Sequence, residues 1–480
     1  MNVFKHLQHQ RRELTGRAFD RHLRLGVTGL SGSGKTAFIT SLVHQLTQGD
    51  QPSNLPFFDV VREQRYLGGR LASQVLAVPR FPLEQNLQYL QQTPPAWPPS
   101  TTGWSQLSLQ LRYKAASGLR SHLQSHSELA LDIIDYPGEW LLDLPMLDMS
   151  YAQWCEFSWQ LFAKTHRSAA AQPFEQLLQN TNLQDASELH LQQLTDSYKQ
   201  LLTQFHQTPG AYLNQPGRLL VPGALSGAPM LQLFPLLPQQ AEQPSALATQ
   251  LEQHYDSYRK HVIKPFYQQH FSALDRQVIL VDCLSALNAG YAAITELQQA
   301  LRLILQSFNY GPSSLLSRLF TPKISKVLFA ASKADHVTPE QHKALTLLLQ
   351  QLLQQPLKHS QYQAATTEAM AIAAIRASSP GFVQVEGLAQ PCLSGTDVEG
   401  KAMTYFPGEV PATPAQTRSV RAASRAHRAT AARPTAAASR GARTTDALPR
   451  DGGGATVPRV RSGAVRRAAA ARHRPGCGAP

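Results

Sequence analysis

At 480 residues and a net charge of +13, the chain is long enough for two to three domains with a sizeable core, and its basicity would ordinarily point to nucleic acid or an anionic membrane. That pointer fails, because the residues from Pro411 to Pro480 carry 14 arginines against two aspartates and leave the rest of the chain at +1. Four scattered cysteines (Cys155, Cys283, Cys392, Cys477), no long uncharged apolar run and no hydrophobic stretch after the first basic residues argue against a disulfide framework, a transmembrane segment and a secretory leader, and predict a cytoplasmic chain.

Residues 23–28 read as a buried strand and residues 37–46 as a helix. Between them Gly29-Leu30-Ser31-Gly32-Ser33-Gly34-Lys35-Thr36 fills every slot of the pattern G-x-x-x-x-G-K-[ST]. In this setting Gly29, Ser31, Gly32, Ser33, Gly34, Lys35, Thr36 and Ala37 form a cradle in which backbone N–H groups and a helix N-terminus converge on phosphate. Lys35 would neutralise the β- and γ-phosphates, and the Thr36 hydroxyl would ligate Mg²⁺. Residues 32–37 also fit the dinucleotide fingerprint G-x-G-x-x-A, but the eight-position match favours a nucleoside triphosphate.

Residues 50–99 read as a linking region that ends in Pro94-Pro95-Ala96-Trp97-Pro98-Pro99. Leu107, Leu109, Leu111 and Tyr113 then alternate with polar residues, as in a half-buried strand. A second strand over 128–135 pairs with it antiparallel and delivers Asp135 to the carboxyl end of the sheet. Asp135-Tyr136-Pro137-Gly138 has the form D-x-x-G: the carboxylate would hold Mg²⁺ through a water, and the Gly138 N–H meets no side chain on its way to the γ-phosphate. Thr101, with Thr102 as the alternative, stands where Ras-like GTPases place the switch threonine that ligates Mg²⁺. Glu139 occupies the slot in which many GTPases orient the attacking water with glutamine. A carboxylate there is repelled by phosphate, so either hydrolysis is slow or Glu139 makes a structural contact.

From 141 to about 272 the chain is rich in glutamine and leucine at helical spacing, for instance over 189–205 and 246–271, with a proline- and glycine-rich loop at 209–238. A strand (277–282), a helix (294–308), a strand (326–331), a helix (340–353), a last parallel strand (369–375) and a hairpin (382–406) follow. Alternation of this kind predicts an α/β fold with a mostly parallel sheet covered by helices, and the helical stretch an inserted subdomain. The expected division is 1–140 and 276–411 for the two parts of the nucleotide domain, 141–275 for the insertion and 412–480 for a basic tail.

Ser332-Lys333-Ala334-Asp335 follows a strand and resembles the guanine-reading signature [NT]-K-x-D, with serine as a departure in the first slot. The Asp335 carboxylate can accept from guanine N1–H and the exocyclic amine, which adenine does not offer together, and the stem of Lys333 can cover the base plane. Ala377 and Ser378, after the last strand, stand where such proteins meet the base through backbone.

The order of these motifs resembles the Ras-like branch of P-loop GTPases. The runs at 21–25, 34–42, 132–145 and 333–337 are similar to the bacterial YcjX family of stress-associated P-loop proteins, over about residues 10–410. That resemblance implies GTP and GDP binding, a helical insertion after the D-x-x-G segment, and a part in membrane-stress responses through an inner-membrane partner. After Ala412 the composition collapses to Ala, Arg, Gly, Pro, Ser and Thr, with one leucine and no aromatic residue, as expected either of a frameshifted terminus or of a genuine basic tail that cannot bury a core. The 17 histidines form no metal motif, so no ion beyond Mg²⁺ and no specific nucleic-acid partner is expected. Three functions fit: a GTPase switch acting on a protein effector, a nucleotide-binding scaffold without turnover, and an ATP-dependent enzyme in which Asp335 has no part.

Overall fold

The computed structural model describes residues 21–30, 32–48, 55, 58–73, 78–101, 103–114, 126–307, 324–359, 366–385, 387–396 and 400–414. Ser31, Thr102 and the basic tail beyond 414 lie outside these residues.

Strand β1 (Arg21–Gly29) leads through the glycine-rich loop into helix α1 (Lys35–Thr47). The stretch read as a linker instead supplies strand β2 (Tyr66–Leu71) and helix α2 (Leu83–Gln91). Strands β3 (Ser105–Lys114) and β4 (His126–Asp135) pair antiparallel, and β2 adds to β3 in the same sense. A short helix α3 (Glu139–Leu142) opens the helical segment, which continues with α4 (Tyr151–Phe162), α5 (Ser168–Gln179), α6 (Glu188–Gln207) and α7 (Ala246–Tyr258). Helix α7 runs on through two π-helical turns to Phe271. Between α6 and α7 the chain makes only short helical turns, as its prolines and glycines dictate.

Strand β5 (Arg276–Val281), helices α8 (Cys283–Ala289) and α9 (Tyr291–Ser307), strand β6 (Lys326–Ala331), helix α10 (His342–His359) and strand β7 (Thr366–Ala371) complete the α/β part. The sheet has seven strands in the order β2-β3-β4-β1-β5-β6-β7, parallel from β4 to β7. Strand β7 therefore ends before the expected 375: Ile372 donates to the Ala331 carbonyl and accepts from the Ala334 N–H, and the chain then leaves the sheet. In place of a hairpin, β8 (Ser378–Val385), β9 (Leu388–Thr396) and β10 (Ala402–Tyr405) make a separate three-stranded antiparallel sheet.

Side chains along a strand point alternately to the two faces, and β5 shows what this does in a sheet covered on both sides. Val278 and Leu280 pack with Ile39 and Val43 of α1, whereas Ile279 and Val281 pack with Leu297 and Leu301 of α9. Strand β1 lies between β4 and β5, so the strand order changes direction at β1, where open α/β sheets bind ligands beyond the carboxyl ends. The helical segment leaves from β4 and returns at β5.

A buried polar cluster fastens that segment to α9. The Arg167 guanidinium donates to both Glu296 oxygens, at 2.5 and 3.2 Å, and to Leu213 O and Asn214 Oδ1. Glu296 also accepts from the Leu213 N–H and lies 2.6 Å from His166 Nε2. Burial pushes the Glu296 carboxyl up, but the bonds from His166, Arg167 and Leu213 outweigh it and hold it at about 2, below its ordinary 4.5. A depressed carboxyl contributes stability that is complete above its unfolded value and lost as pH falls through the folded one. Glu296→Gln, which strands the Arg167 charge, is expected to lower stability by about 3–5 kcal/mol at neutral pH. Urea unfolding checks this, and the wild-type advantage shrinks between the ordinary pKa of 4.5 and about 2.

Candidate functional site

Gly32 (φ 75°) and Gly34 (φ 83°) take left-handed backbone conformations in the loop after β1, which side-chain-bearing residues adopt at a cost. Nothing lies within 4 Å of a Cβ added at either position, so backbone geometry and not crowding explains the glycines. Helix α1 starts at Lys35 without a side-chain cap and without an acidic residue in its first turn. Its first amides and positive dipole end are thus left for an anion. The Ser33 hydroxyl is buried with no hydrogen-bond partner among the described residues, an orphan that a phosphate oxygen would satisfy.

On the far side of the loop, Lys35 Nζ donates to Asp135 Oδ1 at 2.5 Å, with both side chains buried. Thr101 Oγ1 donates to Asp135 Oδ2 at 2.9 Å and lies 3.3 Å from Thr36 Oγ1. The three residues expected at Mg²⁺, Thr36, Thr101 and Asp135, thus form one connected set of oxygen donors, which suits a hard cation that also takes ligands from phosphate. Their register comes from the sheet, where Val27 of β1 stands opposite Asp135 of β4. The turn after Asp135 is fixed by Thr28 Oγ1 donating to Tyr136 O and by Tyr136 OH donating to Gln277 Oε1. Gly138 is pressed against the loop itself: a Cβ there would come within 2.5 Å of Gly29 O. Glu139 is largely buried and lines the cavity, and its carboxylate has no hydrogen-bond partner among the described residues.

The base side is built at the ends of β5 and β6. Ser332 N donates to Val281 O, and Lys333 follows with φ 60°, a strained setting for a residue with a side chain. Its Nζ donates to Asp282 Oδ2 at 2.5 Å, and Asp282 also accepts from Ser285 N and Oγ as it caps α8. Burial opposes charge on Asp282, yet the Lys333 ammonium and the Ser285 donors hold its carboxyl below the ordinary range. Asp335 accepts from the Ala377 N–H through Oδ2 at 2.8 Å, and the Ser378 hydroxyl donates to the Asp335 carbonyl. Ala377 and Ser378 therefore stand behind Asp335 and hold it, while Ile372 and Ile375 face the cavity in their place.

One cavity of about 470 Å³ joins the two halves. Gly29, Gly32, Ser33, Gly34, Lys35, Thr36 and Ala37 line one end, Lys333 and Asp335 the other, with Thr101 and Glu139 on its wall. Positions three hundred residues apart in the chain meet there because parallel strands bring their carboxyl ends together. Trp97, His206 and Val221 also line it. The last two come from the helical segment, and no spacing in the sequence ties them to the phosphate loop.

The profile of the YcjX-like family, DUF463, matches residues 23–449 of this chain. The Ras-like GTPase YcjX of Shewanella oneidensis is 44% identical over 417 residues, covering 83% of this chain and 86% of that protein. The Ras-like GTPase YcjX of Escherichia coli K12 is 39% identical over 419 residues, covering 85% and 90%.

Gly138 has an ordinary helical φ of −67°, so replacing it tests contact alone. Gly138→Ala is expected to lower stability by about 1–3 kcal/mol in urea unfolding, because the added methyl meets backbone that gives way poorly. Gly103→Ala, where nothing lies within 4 Å of the new Cβ, leaves stability unchanged.

Proposed function

The chain belongs to the YcjX-like family, and from that premise we propose that it binds GTP and GDP with Mg²⁺ and hydrolyses GTP slowly, as a nucleotide-dependent switch. The observation that carries the reading is the single cavity shared by the phosphate cradle around Lys35 and the carboxylate of Asp335. A carboxylate at the base end selects guanine over adenine through the N1–H and the exocyclic amine, and the cradle at the other end accepts any polyphosphate.

Each residue then has a task. The amides of the loop and of the α1 first turn bind phosphate oxygens, and Lys35 exchanges Asp135 for the β- and γ-phosphates. Thr36, Thr101 and Asp135 would hold Mg²⁺, which neutralises charge between the β- and γ-oxygens when it is bound. Thr101 and Gly138 would close on the γ-phosphate, so their loops differ between the triphosphate and diphosphate states. Ala377 and Ser378 hold Asp335 in place, and Lys333, tied to Asp282, lays its stem along the base.

The Glu139 carboxylate, next to the γ-phosphate position and repelled by it, supports slow turnover. It also favours a second reading, a nucleotide-binding scaffold without hydrolysis, which single-turnover measurement separates from the first. The family resemblance further supports a part in a bacterial membrane-stress response through an inner-membrane partner protein. Among the described residues no helix is long and apolar enough to cross a membrane, which fits attachment to the membrane through such a partner.

Calorimetry with GTP, GDP and ATP in the presence of Mg²⁺ tests the reading. GTP and GDP are expected to bind at least about tenfold, or 1.4 kcal/mol, more tightly than ATP. Asp335→Asn should close that gap while keeping phosphate binding, and Lys35→Ala should abolish triphosphate binding. Equal affinity for ATP and GTP in the wild type would discard the guanine assignment.

A further inference from the structure

Besides His206, the helical segment meets the site through a short stretch, residues 215–221. Gly217 N donates to both oxygens of Asp143, at 2.8 and 3.0 Å, and the Gln215 side-chain amide donates to Leu142 O. Trp140 Nε1 donates to Val221 O at 3.3 Å. The two backbones are so close that a Cβ on Gly217 would come within 2.6 Å of Glu139 O. Glu139 and Val221, on either side of this contact, both line the cavity.

Arg218 sits in the middle of the stretch. Its guanidinium lies over the Trp140 ring, 3.2 Å from the centroid, and makes no hydrogen bond or ion pair among the described residues. The neighbouring carboxylate, Asp143, is taken by Gly217 and by Tyr258 OH. Burial pushes the Arg218 guanidinium below its ordinary pKa, with Tyr258 and Asp143 acting against that. Five N–H donors that cannot be deprotonated are thus set in a half-buried place with only an indole face beneath them. The donors are half-exposed, so they can turn to an anion without breaking a hydrogen bond or ion pair. The Glu139 side chain beside Arg218 lines the cavity and makes no hydrogen bond or ion pair among the described residues, so a cation and an anion stand close here without being joined.

An anion is expected close by. The Gly138 backbone, one residue before Glu139, is in contact with Gly29 of the phosphate cradle, and an extended arginine side chain spans the width of such a contact. We propose that Arg218 is a catalytic arginine supplied in cis by the helical segment, leaving the Trp140 face to donate to the γ-phosphate oxygens as GTP is hydrolysed. In that step the water oxygen bonds to the γ-phosphorus while the bond to the β-γ bridging oxygen breaks. GDP departs with the electron pair, and the proton of the water passes to phosphate. Arg218 forms and breaks no covalent bond, but stabilises charge spread over the equatorial oxygens. It also offsets the repulsion between Glu139 and phosphate. A cation–π contact is weak enough to be exchanged for a bidentate bond to phosphate.

This inference rests on the GTPase reading, and its test is built to keep the two apart. Wild type, Arg218→Ala and Arg218→Lys are compared by single-turnover GTP hydrolysis with Mg²⁺, and by calorimetry with GDP in the presence and absence of aluminium fluoride, which completes a transition-state mimic. Arg218→Ala is expected to lose about 10²-fold or more in rate and to lose the tightening of GDP by aluminium fluoride, while its affinity for GDP alone stays within about threefold of wild type. A variant that keeps the wild-type rate or the wild-type tightening overturns the inference, since a merely structural arginine moves neither selectively. Arg218→Lys keeps a cation over Trp140 and serves if the alanine variant does not fold: a rate loss of about tenfold with unchanged GDP affinity supports the inference, and a wild-type rate overturns it. A wild type that hydrolyses no GTP refutes the GTPase reading itself, and the role of Arg218 with it.

Discussion

The site is organised around the ion pair of Lys35 and Asp135, 2.5 Å long and almost wholly buried. Two charges in such a place are a poor source of stability, because their desolvation offsets most of their attraction. Their placement has a different use. The ammonium and the carboxylate keep each other solvated in place of water, and on the proposed reading each exchanges the other for phosphate or metal without moving far. Thr101 joins the pair through the second carboxylate oxygen, so the loop before β3 is tied to the same point. The arrangement exists only because β1 and β4 are parallel neighbours with Val27 opposite Asp135, which sets the cradle and the D-x-x-G turn side by side.

Close backbone approach extends that organisation outward. Gly138 lies against Gly29, and Gly217 against Glu139, so three segments from different parts of the chain are stacked with no side chain between them. The middle one, which carries Glu139, is fixed by the cradle on one side and by the helical segment on the other. A shift of a few tenths of an ångström at the cradle must therefore be absorbed by the stretch that bears Arg218, because tightly packed backbones transmit displacement and do not cushion it.

Sequence carried the chemistry further than the shape. Motif matches, full at Gly29–Thr36 and Asp135–Gly138 and short of the first slot at Ser332–Asp335, placed these runs at the carboxyl ends of strands, and the period-2 pattern of Leu107, Leu109 and Leu111 marked a strand that buries one face. Strand β2 falls in the stretch read as a linking region, and its Gly68 and Gly69 give it no alternating apolar pattern. In the fold Gly69 is needed for packing, since a Cβ there would come within 2.4 Å of Leu46 O. The end of β7 was misplaced because this edge strand alternates exposed residues such as Thr366 and Glu368 with half-buried ones, and the apolar run after it belongs to the cavity wall. The spacing of Ala377 gave its place in the chain but not the direction of its N–H, which faces the Asp335 carboxylate. The pairing of Lys333 with Asp282 and the arrival of His206 and Val221 are tertiary facts that no local pattern encodes.

Three buried carboxylates show what decides their charge, and two of them, Glu296 and Asp143, hold the helical segment. Burial works against the ionised form in all of them, and the outcome turns on whether a cation is within bonding distance. Glu296, bonded to Arg167, is held at about 2, and Asp282, bonded to Lys333, is also lowered. Asp143 has Tyr258 and Gly217 as neutral donors and Arg218 nearby without an ion pair, so burial prevails and pushes it up to about 7. The signs of their linkage to folding are opposite. The Glu296 anchor is complete above its ordinary 4.5 and weakens as pH falls towards 2, whereas the Asp143 clasp is complete below its ordinary 3.8 and weakens as pH rises through about 7. Near neutrality the segment is thus gripped firmly at α9 and more loosely beside Glu139. When its two ends are loaded differently, the end next to the cavity is the one that gives.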